Sequence, residues 1–224
     1  MSNVREILDR VPPAILYHYT NQQGVLGILS SKELWASHTQ YLNDVREFRH
    51  AIALVKQELE EMVKNTIAGL RRDLLLEMQE AVNTRIESIN VCVCSFSEVG
   101  DLLSQWRAYG GGAGGFSIGF PGTFLQTVSR RNNFWLVPCV YDEDQQRALV
   151  RTLLDDVLEE LTERGSHDPH KVPSPRGGNL VAYLNRYAPI LKHKSFEEER
   201  EWRIISRPLM CVLERFGYRA GTSM

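Results

Sequence analysis

Long apolar runs are missing from these 224 residues. No stretch approaches the ~20 apolar residues that a membrane-crossing helix requires, and the N-terminal Met1-Ser-Asn-Val-Arg-Glu-Ile-Leu-Asp-Arg10 is too charged for a signal peptide. The expectation is a cytoplasmic chain with no membrane partner. Basic charge is not in excess either: 26 Lys and Arg stand against 28 Asp and Glu, a formal net charge of −2. That removes the overall basic footprint of a non-specific nucleic-acid binder and leaves room only for a local basic groove. Cysteine is scarce. The four residues include Cys92 and Cys94, two positions apart, with Cys139 and Cys211 far off. A Cys-x-Cys with no second ligand pair at zinc spacing predicts no metal site, and four scattered thiols predict no disulfide framework. Buried free thiols in a reducing compartment are expected. There is no internal repeat and no linker-like segment.

What is present is ordinary globular composition, 43% apolar and 24% charged, at a length suited to one domain spanning residues 1–224. A short helix at 3–10 stops at Pro12-Pro13. The β-favouring run Ala14–Thr20 predicts a strand with His18 near its end, and Asn21 caps a helix to about Ser31 with Val25, Ile28 and Leu29 inward. Glu33–Ser37 returns as a strand. Apolar residues at steps of three and four from Phe48 to Met62, and again from Leu70 to Val82, predict a helical hairpin inserted at about 44–87. Ile89–Phe96 reads as a strand covered on both faces. A helix carrying Leu102, Leu103, Trp106 and Tyr109 follows. The glycine-rich segment 110–115 precedes the strand Phe116–Phe120; without a following Lys-Ser/Thr it is not a P-loop, and it predicts a turn able to flex over a ligand. Phe134–Tyr141 predicts a strand that Pro138 confines to an edge or a bulge. A long helix at about 143–164 shows Leu149, Leu153, Val157 and Leu161 at heptad-like spacing, too few heptads for a coiled coil. Residues 165–178 predict a flexible loop whose His167 and His170 suit solvent better than metal. A helix at 179–191 closes the series, and the class is α+β.

The densest chemistry lies in Lys192-His-Lys-Ser-Phe-Glu-Glu-Glu-Arg-Glu-Trp-Arg-Ile-Ile-Ser206. As a strand, its alternation sets Glu199, Glu201 and Arg203 on one face, with the two carboxylates roughly 6–7 Å apart. Two acids then share one wall of a cleft. The competing reading is an edge strand with a solvated polar face and Trp202 and Ile204 packed inward. Basic pairs at Arg130-Arg131, Lys171 and Arg176, and Lys192 and Lys194 read either as surface charge or as a face for an acidic target.

Leu16-Tyr-His-Tyr-Thr20, Leu34-Trp-Ala-Ser37, Leu42-Asn-Asp-Val-Arg-Glu47, Cys94-Ser-Phe-Ser97, Trp106-Arg-Ala-Tyr109, Ser117-Ile-Gly-Phe120 and Glu199-Arg-Glu-Trp-Arg203 together resemble a bacterial domain-of-unknown-function family grouped with the ADP-ribosyltransferases. The chain is also distantly similar to toxins that ADP-ribosylate thymidine in DNA. The resemblance implies an ADP-ribosyltransferase-like fold, with split antiparallel or mixed sheets around an NAD cleft. It implies a transferase moving ADP-ribose from NAD to a macromolecular acceptor, nucleic acid or protein, in the manner of a toxin or phage-defence effector. Under it, Glu201 is the catalytic glutamate and Glu199 orients the acceptor. His18, with Tyr19 and Thr20 beside it, hydrogen-bonds a ribose of NAD; Ser95 and Ser97 support the cleft; and Trp106 or Tyr109 stacks on nicotinamide. On chemistry alone, Arg203 or Lys194 suits the diphosphate, since paired donors match phosphate oxygens. The chemistry suits these types: breaking the nicotinamide–ribose bond develops positive charge that a fixed carboxylate stabilises.

Three points stand against a simple transfer of function. The resemblance continues, in the family, past a segment like Arg219-Ala-Gly221 into a further strand, whereas this chain stops at Met224; it is either naturally short or truncated. A non-catalytic nucleotide-binding or regulatory module with a degenerate cleft is the alternative from another class. A glycosidase is a weaker one, since its two acids usually flank the bond from separate elements.

Overall fold

Strands form where β-branched and aromatic residues cluster, and the helices cover them unequally. The structure, a computed structural model, describes residues 6–7, 9–39, 45–85, 91–110, 114–166 and 178–208. The strands are β1 (Ile15–Asn21), β2 (Ser37–His38), β3 (Cys92–Ser97), β4 (Gly115–Pro121), β5 (Trp135–Pro138) and β6 (Glu201–Ile205). They make one six-stranded antiparallel sheet in the order β4-β1-β3-β6-β5, with β2 also paired to β3. The ladders are uneven. β1 and β4 share seven register pairs from Ile15↔Pro121 to Asn21↔Gly115, and β3 and β6 share five. Between β1 and β3 there is one, Tyr17↔Ser97. The sheet is therefore two ladders joined at a narrow waist.

Alternation along the strands sorts the two faces. Val93, Val137 and Ile205 join the larger core with α2 (Val45–Asn65), α3 (Leu70–Arg85), α6 (Glu143–Ser166) and α7 (Gly178–Tyr187). Leu16, Cys94, Phe96, Leu136, Trp202 and Ile204 face the other way, onto Leu125 of α5 (Gly122–Arg131). The expected helical hairpin is present: Ala51, Leu54, Val55, Leu59 and Met62 of α2 pack against Leu74, Leu75, Met78 and Val82 of α3. The heptad-like row of α6 is buried in the same core, so the seam is spent within the chain. In α7 the helix ends at Tyr187, because Pro189 has no amide hydrogen to continue it, and residues Ala188–Ile190 tighten into a 3-10 turn.

Several expectations are corrected. The strand foreseen at Glu33–Ser37 is irregular up to Ala36; Leu34 and Ala36 dock on the smaller core and only Ser37 and His38 pair, with Val93 and Cys92. The helix α1 (Gln22–Ser31) is capped as expected, the Asn21 side chain accepting from the Gly24 amide at 2.9 Å. Yet it has no buried residue, and Leu29 is 69% exposed, since it lies along the outer β1–β4 ladder rather than over the core. Pro138 sits as predicted on an edge strand, β5. The strand β6 is not an edge: it runs between β3 and β5 with all five residues buried. The glycine segment has a packing reason at its ends: a Cβ on Gly115 would meet the Gly110 Cα at 2.5 Å. Residues 3–5 and 8 of the helix expected at 3–10, residues 111–113, the 167–177 part of the expected loop, and everything after 208 lie outside the described residues. No described helix is long and apolar enough to cross a membrane.

Candidate functional site

The helix-side face of β3 and β6 changes character along its length. Val93 and Ile205 are apolar; beyond them come Ser95 opposite Arg203 and Ser97 opposite Glu201. Ion pairs fill this polar end. Arg203 clasps Glu201 through Nε to Oε1 at 2.7 Å and Nη2 to Oε2 at 3.0 Å, and its Nη1 donates to the Pro189 carbonyl at 2.6 Å. Lys192 Nζ lies 2.6 Å from Glu201 Oε2 and 2.6 Å from Glu199 Oε2. Glu201, Arg203 and Lys192 are each 5–6% exposed. Two acids and two bases thus form a charge-balanced quartet, buried except for Glu199, which is partly exposed.

Local structure explains the convergence, and it differs from the predicted one. Glu199 is not on the strand. It ends a 3-10 helix, Lys194–Glu199, and Arg200 turns the chain at φ 41° before β6 begins. The left-handed backbone at Arg200 is unfavourable for a residue with a Cβ. It is held by bonds from Arg200 N to the Glu197 carbonyl and from Glu98 N to the Arg200 carbonyl, both at 3.2 Å. The Ser97 hydroxyl donates to the Glu199 carbonyl at 2.7 Å and accepts from Val99 N at 3.0 Å. The two carboxylates therefore meet through Lys192 rather than through a shared strand face.

The electrostatics follow from burial and pairing. Burial is the largest influence on Glu201 and alone would raise its pKa, but the charges and hydrogen bonds of Arg203 and Lys192 outweigh it and bring the value down to about 2. Glu201 stays ionised at neutral pH. Tyr141 accepts the Glu201 amide hydrogen at 2.9 Å, and burial pushes its phenol upward so that it stays protonated. Tyr109, half-exposed at the end of α4 (Leu103–Tyr109), lies within electrostatic reach of all four quartet members; burial of its phenol and then the charge of Glu201 raise its pKa. On the opposite face Cys94 is pushed up to about 12, chiefly by burial, and is an inert thiol. Beside the quartet opens a cleft of ≈ 520 Å³ whose lining includes Glu201, Tyr141 and Cys139, with Arg10 and Arg200 as cations and Glu98, Glu197 and Glu198 as acids. Its size falls within the usual range for small-molecule sites.

The predicted site residues divide into two groups. Glu199, Glu201, Arg203, Ser97 and Tyr109 come together, and Ser95 borders them. His18, Tyr19, Thr20 and Trp106 are engaged elsewhere. His18 Nδ1 is 2.9 Å from the Ser95 carbonyl and its ring faces Phe96 at 5.6 Å, on the side of the sheet away from Glu201. The Tyr19 hydroxyl donates to the Val99 carbonyl at 2.8 Å and accepts from Leu102 N at 3.0 Å, while Trp106 packs edge-on against its ring and bonds Asp101. These two aromatics fix the loop that launches α4. Thr20 lies against α1, where a Cβ on Gly24 would meet its Oγ1 at 1.9 Å. Arg203 is turned inward onto Glu201 and Pro189, and Lys194 is exposed. Lys192 was read from the sequence only as surface charge or part of a face for an acidic target, whereas it is buried against the two acids, and Tyr141 was named only as the end of a strand. Lys192 had a visible signal, a lysine just ahead of an acid-rich strand; Tyr141 had none. Among the described residues no three His, Cys, Asp or Glu side chains are grouped to hold a metal ion.

A protein family described as "Protein of unknown function (DUF2971)" matches residues 105–204. That segment holds Tyr109, Tyr141 and the whole quartet, and leaves out β1 and β3 with His18, Ser95 and Ser97. No curated protein and no solved structure matches the chain.

Proposed function

We propose that this chain is an ADP-ribosyltransferase that takes NAD as substrate and transfers ADP-ribose to a macromolecular acceptor, with Glu201 as the fixed anion and Glu199 serving the acceptor. The observation that carries the reading is the pair of carboxylates drawn together on Lys192, one of which, Glu201, is held ionised and lines a ligand-sized cleft. Scission of the nicotinamide–ribose bond develops positive charge on the ribose, and an anion already oriented by the protein stabilises it without reorganising. The narrow waist between the β1–β4 and β3–β6–β5 ladders supports a split sheet of the kind this reading requires. Arg10 and Arg200 supply cations for a diphosphate at the cleft, and Tyr109 an aromatic face near Glu201.

A second reading, a non-catalytic nucleotide-binding module, is favoured by the pairing of Glu201 itself. A carboxylate offers about four acceptor positions; Arg203 takes two and Lys192 one. One position remains for a ligand hydroxyl, enough to orient a ribose. The two readings separate in one experiment: purified protein with radiolabelled NAD, with and without cell extract, scored for nicotinamide release and for label on macromolecules. Release or transfer supports the enzyme; NAD binding by calorimetry with neither supports the module; no binding refutes both.

A further inference from the structure

We propose that Lys192 is a positioning residue for this site, an internal counterion that holds Glu199 and Glu201 together as two ionised carboxylates with fixed directions. This deepens the transferase reading and, for its role in turnover, rests on it. The backbone of Lys192 is immobilised before its side chain acts. Its amide donates to the Val140 carbonyl at 3.1 Å, and its carbonyl accepts from Gln146 Nε2 at 2.7 Å. Gln146 is fully buried and its Oε1 lies 2.9 Å from His50 Nε2. The side chain then runs beneath Phe196, with Nζ 5.0 Å from the ring centroid, to reach both acids at 2.6 Å.

The two acids come from different elements, a 3-10 turn and a strand, joined by the left-handed Arg200. The backbone alone leaves their carboxylates free to part. Two like charges with little access to water also repel, and one of such a pair ordinarily retains a proton. A shared ammonium removes both difficulties. Arg203 contributes a second positive charge from β6, Tyr109 faces the cluster from α4 and Tyr141 from the segment after β5; both phenols are neutral at physiological pH, so Lys192 and Arg203 supply the cationic charge among these groups.

The test compares Lys192→Gln, which removes the charge but keeps a hydrogen-bond donor, with Lys192→Arg, which keeps the charge. Glutamate carboxyl titrations followed by carbon-13 NMR are expected to move upward by about 1–3 pH units at one of the two acids in Lys192→Gln, and to stay near the parental values in Lys192→Arg. If Lys192→Gln does not fold, the Lys192→Gln, Glu199→Gln double variant removes the same charge with one acid fewer, and the rise is expected at Glu201. Unchanged titrations would overturn the proposal. NAD turnover supplies the separate arm: about a 10²-fold loss in Lys192→Gln, with the acid limb of the pH profile displaced upward and activity largely restored by Lys192→Arg. Shifted titrations with parental turnover would keep Lys192 as a counterion and remove its part in the reaction. Shifted titrations in a protein that never consumes NAD would refute the transferase reading and leave the counterion standing.

Discussion

Glu201 enters the folded state with its charge already compensated, and this makes its contribution to stability dependent on pH. Its pKa falls from the ordinary 4.5 to about 2 on folding, so the unfolded chain binds its proton more tightly. The contribution is complete above about pH 4.5 and is lost as pH falls toward 2; a difference of this size corresponds to ~3 kcal/mol. Glu201→Gln is expected to flatten that part of the stability curve, measured by urea unfolding between pH 2 and 7. A parental acid limb in the variant would assign it to other carboxylates. Arg203 is the more costly residue to lose. Arg203→Met leaves Glu201 buried with one partner fewer, and the expected destabilisation is ~3–5 kcal/mol, read from the same unfolding experiment. Surface-like tolerance at Arg203 would mean that the quartet is not buried in solution.

Elements show where the physics is local and where it is not. The junction of β1 and α1 is a local matter. Asn21→Ala removes the capping bond to Gly24 and is expected to cost about 1 kcal/mol. Gly24→Ala would ordinarily favour a helix by ~1 kcal/mol, but the new Cβ meets the Thr20 Oγ1 at 1.9 Å and the Thr20 Cβ at 3.1 Å. It is therefore expected to lower the melting temperature, and a rise would show that the strand and helix can part without loss. Such junctions were legible: an Asn before a helix, a Pro at an edge strand and the apolar spacing of α2 and α3 each write their structure into a few adjacent residues. The bend before β6 was not legible in this way. Nothing in Glu-Arg-Glu marks Arg200 as left-handed, since the bonds that hold it come from Glu98 across the sheet as well as from Glu197. Alternation alone therefore assigned Glu199 to the wrong element, though it placed Glu201 and Arg203 on one face correctly.

At the scale of the whole molecule, the site is assembled from parts far apart in sequence. Tyr141 lies 60 residues before the amide it accepts from, and Ser97 lies 102 residues before the carbonyl it holds. The acids and Arg203 could be named from sequence because they are neighbours; their partners required the fold. His18 was named on resemblance, and it points away from Glu201 because its neighbour Tyr17 pairs with Ser97 on the Glu201 face, so alternation turns His18 to the other side. That waist has a dynamic consequence. Amides of β3 and β6, bonded within the wider ladder, are expected to exchange hydrogen only on global opening, whereas β1 and β4 exchange sooner through parting at the waist. Uniform protection across all four strands would show that the waist does not act as a joint.

Consumption of NAD by the parental chain and by Glu201→Gln is the most direct measurement of what this site does. Gln keeps the size of the side chain and some of its hydrogen bonds but removes the negative charge, so the transition state should suffer more than the bound substrate. The expected result is a ~10²–10³-fold fall in nicotinamide release, with calorimetric NAD affinity nearly unchanged. Equal release by the two proteins would contradict the assignment of Glu201 as the catalytic anion.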